Sequence, residues 1–494
     1  MQRLPQSDRA QLTRASLVFP VLATILTWGL FLAYYQTRFG LDEPPSPSGD
    51  EVDYDAMGWE LSHGRGFQID LTNPEFRRPY DQAAETEPRF QLSDSRRGLI
   101  VYRPPGFPVI IAFTDLLLGR QFWGIRVFNS GCMAATCGIL VWWLQQRQGR
   151  LAALLGLGFF VAVDVRTRLY GRTILTEPLS VLLVTALATM LLFQWRGATL
   201  RRTLVIGITF GLAYLVRSLF ILWAPGMVVL TAILPAMGAA SGKKLSVALR
   251  HGAVFTMAAF IIMLPWMVRN CVVLESFQPL GTQGAGQMSA AFSDIAWRTR
   301  GLWSNLETEG FYDEVLSSDM SLVEREKVIA AVSSQRAKEW ILSHPLKAIA
   351  LGPIKIVQEL LPRTWGEAVI LPLAILGCYF SRRDRLSQIG IALFFINAVA
   401  IAATWSVEGR FLFPVLAIVH YWAAIGLLTL VKLILPSLPR EWLEPQQLDG
   451  PPEPSGASAP PPRSANPSRP AEGATRTRLA AARMSAASLG PLNS

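Results

Sequence analysis

The stretch "GDEVDYD" (49–55) places Asp50, Glu51, Asp53 and Asp55 almost directly after a long apolar run. Carboxylates at that density suit a general base or a hard cation. A second set of side chains suits the opposite charge. Arg103 in "YRPPGFP", Arg217 in "GLAYLVRSLF", Arg269 in "LPWMVRN" and Arg410 in "EGRFLFP" each border apolar sequence. A guanidinium fork offers a phosphate bidentate, charge-assisted hydrogen bonds. Glu177 in "GRTILTEPLS", Asn270 beside Arg269, and Glu408 just before Arg410 complete the polar set. Ionisable groups in or at the edge of a membrane are costly, so each is a candidate for function.

The elements that must position these groups are apolar. The 494-residue chain is 51% hydrophobic and 17% charged, against about 25% charged in soluble domains. From Phe107 to Asn270 the only acidic residues are Asp115, Asp164 and Glu177. Such composition reads as a polytopic, all-helical membrane protein, since a spanning helix needs about 20 apolar residues. Apolar runs fall at 15–35, 123–144, 151–165, 174–195, 203–216, 219–237, 248–268, 366–381, 387–405 and 411–435, predicting about ten spans. With the N-terminus in the cytoplasm, the basic connectors "QQRQGR", "RGATLRR", "SGKK" and "SRRDR" and the segment after Lys432 all fall inside. The net charge of +10 is then the usual basic excess of cytoplasmic loops, and nucleic acid is not an expected partner. Cys132, Cys137, Cys271 and Cys378 lack metal-ligand spacing and read as packing residues.

The same threading puts 39–106, 269–345 and the turns near 166–173, 217 and 406–410 on the outer side, so the candidate residues gather at one mouth of the bundle. Together they fit a site that cleaves an activated phosphate at the outer membrane surface. Within 269–345, Ser321 and Glu324 have capping-box spacing, and Val328, Ile329, Val332, Ala337, Trp340 and Ile341 form an approximate apolar face. A second amphipathic piece after His344-Pro345 is expected on the membrane surface. From Glu441 the chain turns to Pro, Ser, Ala and Arg, which predicts a disordered cytoplasmic tail over 441–494 beside a membrane domain over 1–440.

Each signal has a plainer reading. Arginines at helix ends snorkel to headgroups, Glu177 at a helix start favours the dipole, and Asp53 and Asp55 on a loop are expected mainly to solvate it. "GTQGAGQ" (281–287) lacks the Lys-Ser/Thr ending of a P-loop and reads as a flexible outer loop.

Taken in order, the motifs resemble those of the GT-C glycosyltransferases, especially the bacterial relatives of protein O-mannosyltransferases and lipid A aminoarabinose transferase. The matching residues are Asp50, Tyr54, Gly58, Gly64-Arg65-Gly66-Phe67 and Arg103 to Pro108. They continue through "TILTEPLS", "LVRSLF", "LPWMVRN", "PLGTQGAGQ" and "EGRFLFPV", over roughly residues 15–435. Ser218 stands where the family has Pro, Gly58 where it favours Ala, and "NPEFRRPYDQAAETEPRF" lengthens the first outer loop.

The resemblance implies a GT-C-like bundle that moves a sugar, with inversion, from a polyprenyl-phosphate donor to a lipid, glycan or protein acceptor at the outer face. It implies Asp50 as the base, Glu51 as its neighbour and Glu177 as a sugar-binding or supporting group. Arg269, Arg103, Arg217 and Arg410 would bind the phosphate, with Tyr54, Asn270 and Glu408 nearby. A divalent cation bridging phosphate to Asp50 or Glu51 is left open. The alternative from another class is a flippase for lipid-linked saccharide, which would want mid-membrane polar groups and repeat symmetry; neither is seen in the sequence.

Overall fold

A computed structural model describes residues 14–435 and Pro439, so the tail expected over 441–494 lies outside the described residues. The chain opens with α1 (Arg14–Arg38), α2 (Asp50–Ser62), β1 (Gln68–Asp70), α3 (Pro74–Thr86), β2 (Arg97–Leu99) and α4 (Gly106–Leu118). It continues with α5 (Phe122–Gln148), α6 (Arg150–Gly158), α7 (Val165–Arg172), α8 (Glu177–Arg196), α9 (Leu200–Val216), α10 (Ala224–Met237) and α11 (Lys244–Leu274). Three short helices, α12 (Gln283–Gly286), α13 (Met288–Ala291) and α14 (Asp294–Arg298), lead to α15 (Leu322–Ser343). The last four are α16 (Pro345–Leu360), α17 (Trp365–Ser381), α18 (Arg385–Ala403) and α19 (Leu416–Ile434).

The chain is a multi-pass membrane protein by its apolar helices. Among the described residues seven helices are long and apolar enough to cross a bilayer, or up to eight if α16 and α17, bent by 115°, count as one span. That is fewer than the ten expected. Arg150–Val163 is only about 21 Å long at 1.5 Å per residue, short of the roughly 30 Å hydrocarbon core. α9 and α17 have 17 residues each, the lower limit for spanning. A hydropathy run marks where a chain is apolar, not how many consecutive residues join one straight helix. α4 is a further short apolar helix, outside the ten predicted runs.

α19 lies at the centre. Leu416 to Gly426 is buried without a break, as a helix apolar on every side must be. It meets α17 so closely that a Cβ on Gly377 would lie 1.8 Å from the Trp422 carbonyl oxygen, the backbone approach small residues allow. α1 is peripheral, with Leu17, Val18, Val21, Leu22 and Ile25 exposed.

The segments outside the bundle pack tightly. α2 lies on α4, and a Cβ at Gly58 would sit 2.3 Å from Ile111 Cγ2, so this close contact needs glycine. β1 pairs antiparallel with β2, and α3 is capped by Asn73, whose side chain accepts from the Glu75 and Phe76 N–H groups. α15 starts with the expected Ser321–Glu324 capping box and buries Ile329, Ala337 and Trp340. α16 turns Lys355 and Glu359 inward and exposes Leu346, Ile349 and Val357, the orientation a lipid-facing helix needs.

Candidate active site

α2 carries Asp50, Glu51 and Asp53 in its first turn, where the helix dipole favours negative charge. Residues three and four apart share a helix face, so Asp50, Asp53 and Tyr54 point one way and Glu51 and Asp55 another. Arg103, delivered by the turn before α4, meets both first-face acids. Its Nη2 lies 2.6 Å from Asp50 Oδ1 and 3.1 Å from Asp53 Oδ2, and its guanidinium also lies over the Tyr54 ring.

From there the charges alternate in sign. Asp50 Oδ2 lies 2.7 Å from Arg410 Nη2, Arg410 Nε donates to Glu177, and Arg217 Nη1 lies 2.8 Å from the same Glu177 oxygen. In the other direction Asp53 takes Arg96 Nη2 at 2.7 Å and the Tyr102 hydroxyl at 3.2 Å. Segments far apart in sequence thus supply Asp53, Arg103, Asp50, Arg410, Glu177 and Arg217 in a continuous chain. Glu408 and Gly409, both in left-handed backbone, form the turn that brings Arg410 in.

Electrostatics follow from this pairing. Burial alone would raise the Asp50 carboxyl, yet Arg103 and Arg410 hold it well below the usual carboxylate range. Among the described residues Glu51 forms no such ion pair. Burial pushes it up against the Ile174 N–H it accepts, with Arg126 and Arg172 further opposing. Tyr54 is pushed up to about 12 by burial.

The ion-pair chain opens on a cavity of about 1770 Å³ lined by Asp50, Asp53, Tyr54, Arg103, Arg217 and Arg410. Leu219, Ile221, Leu222 and Ala403 form an apolar stretch of its lining, and Trp303 and Trp405 also line it. Each guanidinium has five N–H donors, and the ion pairs use only some of those on Arg217, Arg410 and Arg103, so donors remain for an anionic guest.

Several expected residues fall elsewhere. Arg269 is committed to backbone: it donates to the carbonyls of Ile100 and, at 3.0 Å, Phe67, and stacks on Trp266. Asn270 is fully buried, holding the Pro279 carbonyl at 3.2 Å. Neither lines the cavity; together they tie α11 to the strand pair and the following loop. Glu408 is exposed and has no ion pair among the described residues, because the left-handed turn that admits Arg410 directs its neighbour outward. Asp53 and Asp55 are not solvating groups: both are 2% exposed, Asp55 taking Arg120 at 2.7 Å and Tyr80 at 2.9 Å. The lengthened outer loop supplies Tyr80 and folds over these acids, converting loop carboxylates into interior ones. The "GTQGAGQ" segment is a cavity wall, with Thr282 fully buried and Gln283 accepting from Ser218 at 2.6 Å.

Sequence reasoning missed Arg96 and Glu326. Arg96 lies just beyond the loop insert and in no motif. Glu326 looked like one more charge on an amphipathic helix; only its spacing from Leu322 and Ile329, which places it on the inward side, was a signal.

The donor set does not fit a bridging cation. Asp50 gives an oxygen to each of two guanidiniums, and among the described residues no three His, Cys, Asp or Glu side chains converge to hold a metal.

Comparison with protein-family models finds no match, and no curated protein matches. Among solved structures, the chain is similar to the archaeal oligosaccharyltransferase AglB from Archaeoglobus fulgidus, determined with an inhibitory peptide and a dolichol-phosphate. The TM-score is 0.47 at 12% identity, over 85% of this chain and 51% of that one. It is also similar to ArnT from Cupriavidus metallidurans bound to undecaprenyl phosphate, with a TM-score of 0.39 at 13% identity, over 86% and 80% of the two chains. The chain thus spans about half the length of the oligosaccharyltransferase.

Proposed function

We propose that the protein is an integral-membrane glycosyltransferase that moves a sugar from a polyprenyl-phosphate-linked donor to an acceptor at the outer face of the membrane. The observation that carries this reading is the alternating chain from Asp53 to Arg217, opening on a cavity with an apolar stretch beside its arginines. A lipid phosphate has the same two-part chemistry. Arg103, Arg410 and Arg217 receive the phosphate, and the apolar stretch near Leu219 and Leu222 takes the first part of the tail. As the bond from sugar to phosphate breaks, negative charge grows on the departing oxygen, and prearranged guanidiniums stabilise it without reorganising. Asp50 and Glu177 hold those guanidiniums in place, and Tyr54 supports Arg103 from beneath. Attack from the side opposite the phosphate inverts the sugar. The basic connectors favour an outer site, with N-terminus and tail in the cytoplasm.

The test uses purified protein in nanodiscs with a panel of radiolabelled polyprenyl-phosphate hexoses and pentoses, and an envelope-lipid extract as acceptor. Label is expected to leave the lipid with wild type and to stay with Arg410→Ala. If no donor loses label, but protein in liposomes carries these lipids between leaflets, a flippase replaces the transferase.

A further inference from the structure

The function proposed above, on which this inference rests, still requires a group to take the proton of the acceptor hydroxyl. We propose that Glu326 on α15 is that general base, and that Asp50 instead positions the arginines.

Glu326 and Asp50 line the same cavity, one carried by α15 and the other by α2. Leu322, Glu326 and Ile329 have the spacing of one helix face, and all three are cavity-lining. Leu322 packs at Gly98 of β2, and Glu326 Oε2 accepts from Thr282 Oγ1 at 3.2 Å. Among the described residues Glu326 forms no ion pair, so its other oxygen is available to a guest in the cavity. Of the other cavity carboxylates, Asp319 is exposed to solvent and accepts from Ser318. Asp50 and Asp53 each bind two arginines, Asp94 binds Arg96, Glu307 binds Arg325, and Glu324 caps its own helix. Glu51 also lines the cavity and accepts the Ile174 N–H.

The chemistry points the same way. A base works best when its proton affinity lies near the working pH. Burial pushes Glu326 up to about 7, Glu307 adds to this, and Thr282, Arg103 and Arg96 oppose it. Asp50, held low by two arginines, binds a proton too weakly to compete. The charged and titratable groups acting on Glu326 are Arg96, Tyr102 and Arg103 beside β2 and Glu307 from the loop before α15, and Arg97 of β2 lines the same cavity. α12 and α13 carry none. On α16, Lys355 donates to the Ala402 carbonyl, Glu359 accepts from Ser406, and Lys347 lies over Trp297. At the end of α11, Arg269 is bound to backbone carbonyls.

In the step itself the acceptor oxygen forms a bond to the anomeric carbon while its proton passes to Glu326. The bond from that carbon to the phosphate oxygen breaks, its electron pair leaves with the polyprenyl phosphate, and the arginines receive the charge.

The experiment follows label leaving the lipid from about pH 5 to about pH 9, with donor affinity and melting temperature measured on each protein. Wild type is expected to speed up as pH rises through about 7, since only the ionised carboxylate accepts a proton. Glu326→Gln is expected to lose the rise and about 10²–10⁴-fold in rate, with donor affinity unchanged. Glu326→Asp should keep part of the rate and the rise, which separates chemistry from folding if the Gln variant melts early. Asp50→Asn should instead weaken donor binding and keep the rise. Full rate and an unaltered pH profile in Glu326→Gln overturn the role while leaving the transferase intact. So does loss of the rise in Asp50→Asn or Glu51→Gln alone. Wild type that strips no donor overturns the transferase itself, and the role with it.

Discussion

Two buried ionic clusters can be set side by side. The first runs through Arg103, Asp50, Arg410, Glu177 and Arg217 and faces the cavity. The second joins Asp164, Arg166, Glu367 and His420, where α7, α17 and α19 meet. Arg166 lies 2.9 Å from Asp164 and 2.8 Å from Glu367, and His420 Nε2 lies 3.3 Å from Asp164. Asp164 and His420 are fully buried, and none of the four lines the large cavity. Residue type does not tell the clusters apart, since each pairs arginine with buried carboxylates and each draws a partner from a distant segment. Access does. Asp50 keeps 24% of its side chain exposed and Arg410 keeps 20%, so a guest can exchange with their pairing. The sealed cluster joins α7, α17 and α19.

The largest expected effect on stability therefore lies in the sealed cluster. Asp164→Ala takes from Arg166 one of its two buried carboxylate partners and from α7 its N-cap, and should cost about 3–5 kcal/mol of stability. Melting in detergent measures this, and donor affinity of the folded fraction should not move. A loss of donor binding at unchanged stability would erase the distinction drawn between the clusters.

Next comes Arg410→Ala. Removing one donor aimed at developing charge typically costs about 10²–10³ in rate, so label release should fall by that factor with a smaller change in melting. A melting loss as large as that of Asp164→Ala, with release intact, would make the cavity cluster structural too.

Arg269→Ala separates the two families of arginine further. It should lose charge-assisted bonds to backbone worth about 1.5–3 kcal/mol and keep donor affinity. Were affinity to collapse at unchanged stability, the backbone pairing seen for Arg269 would not describe its working state. The smallest effect is expected of Glu408→Ala, within about 0.5 kcal/mol and with unchanged release, as thermal melting and the label assay together would register.

Much of this was legible beforehand. The capping box at Ser321 was readable because it depends on residues three apart. Asp50, Arg103, Arg217, Glu177 and Arg410 were readable because charge beside apolar sequence is rare. Arg269 satisfied the same criterion and bound carbonyls instead, since an arginine at a helix end can meet backbone as readily as phosphate. Asp53 and Asp55 were misjudged because the residues that bury them, Arg96 and Tyr80 among them, come from a later part of the lengthened outer loop whose fold no local pattern announces.

The sequence by itself determined that the chain is a helical membrane protein and which segments carry unaffordable charge, because hydropathy and helix periodicity act over a few residues. Only the tertiary structure decided which arginine meets which acid, which cluster is open and which is sealed. The Arg410–Asp50 contact joins residues 360 apart, and burial of a charge depends on every helix packed around it.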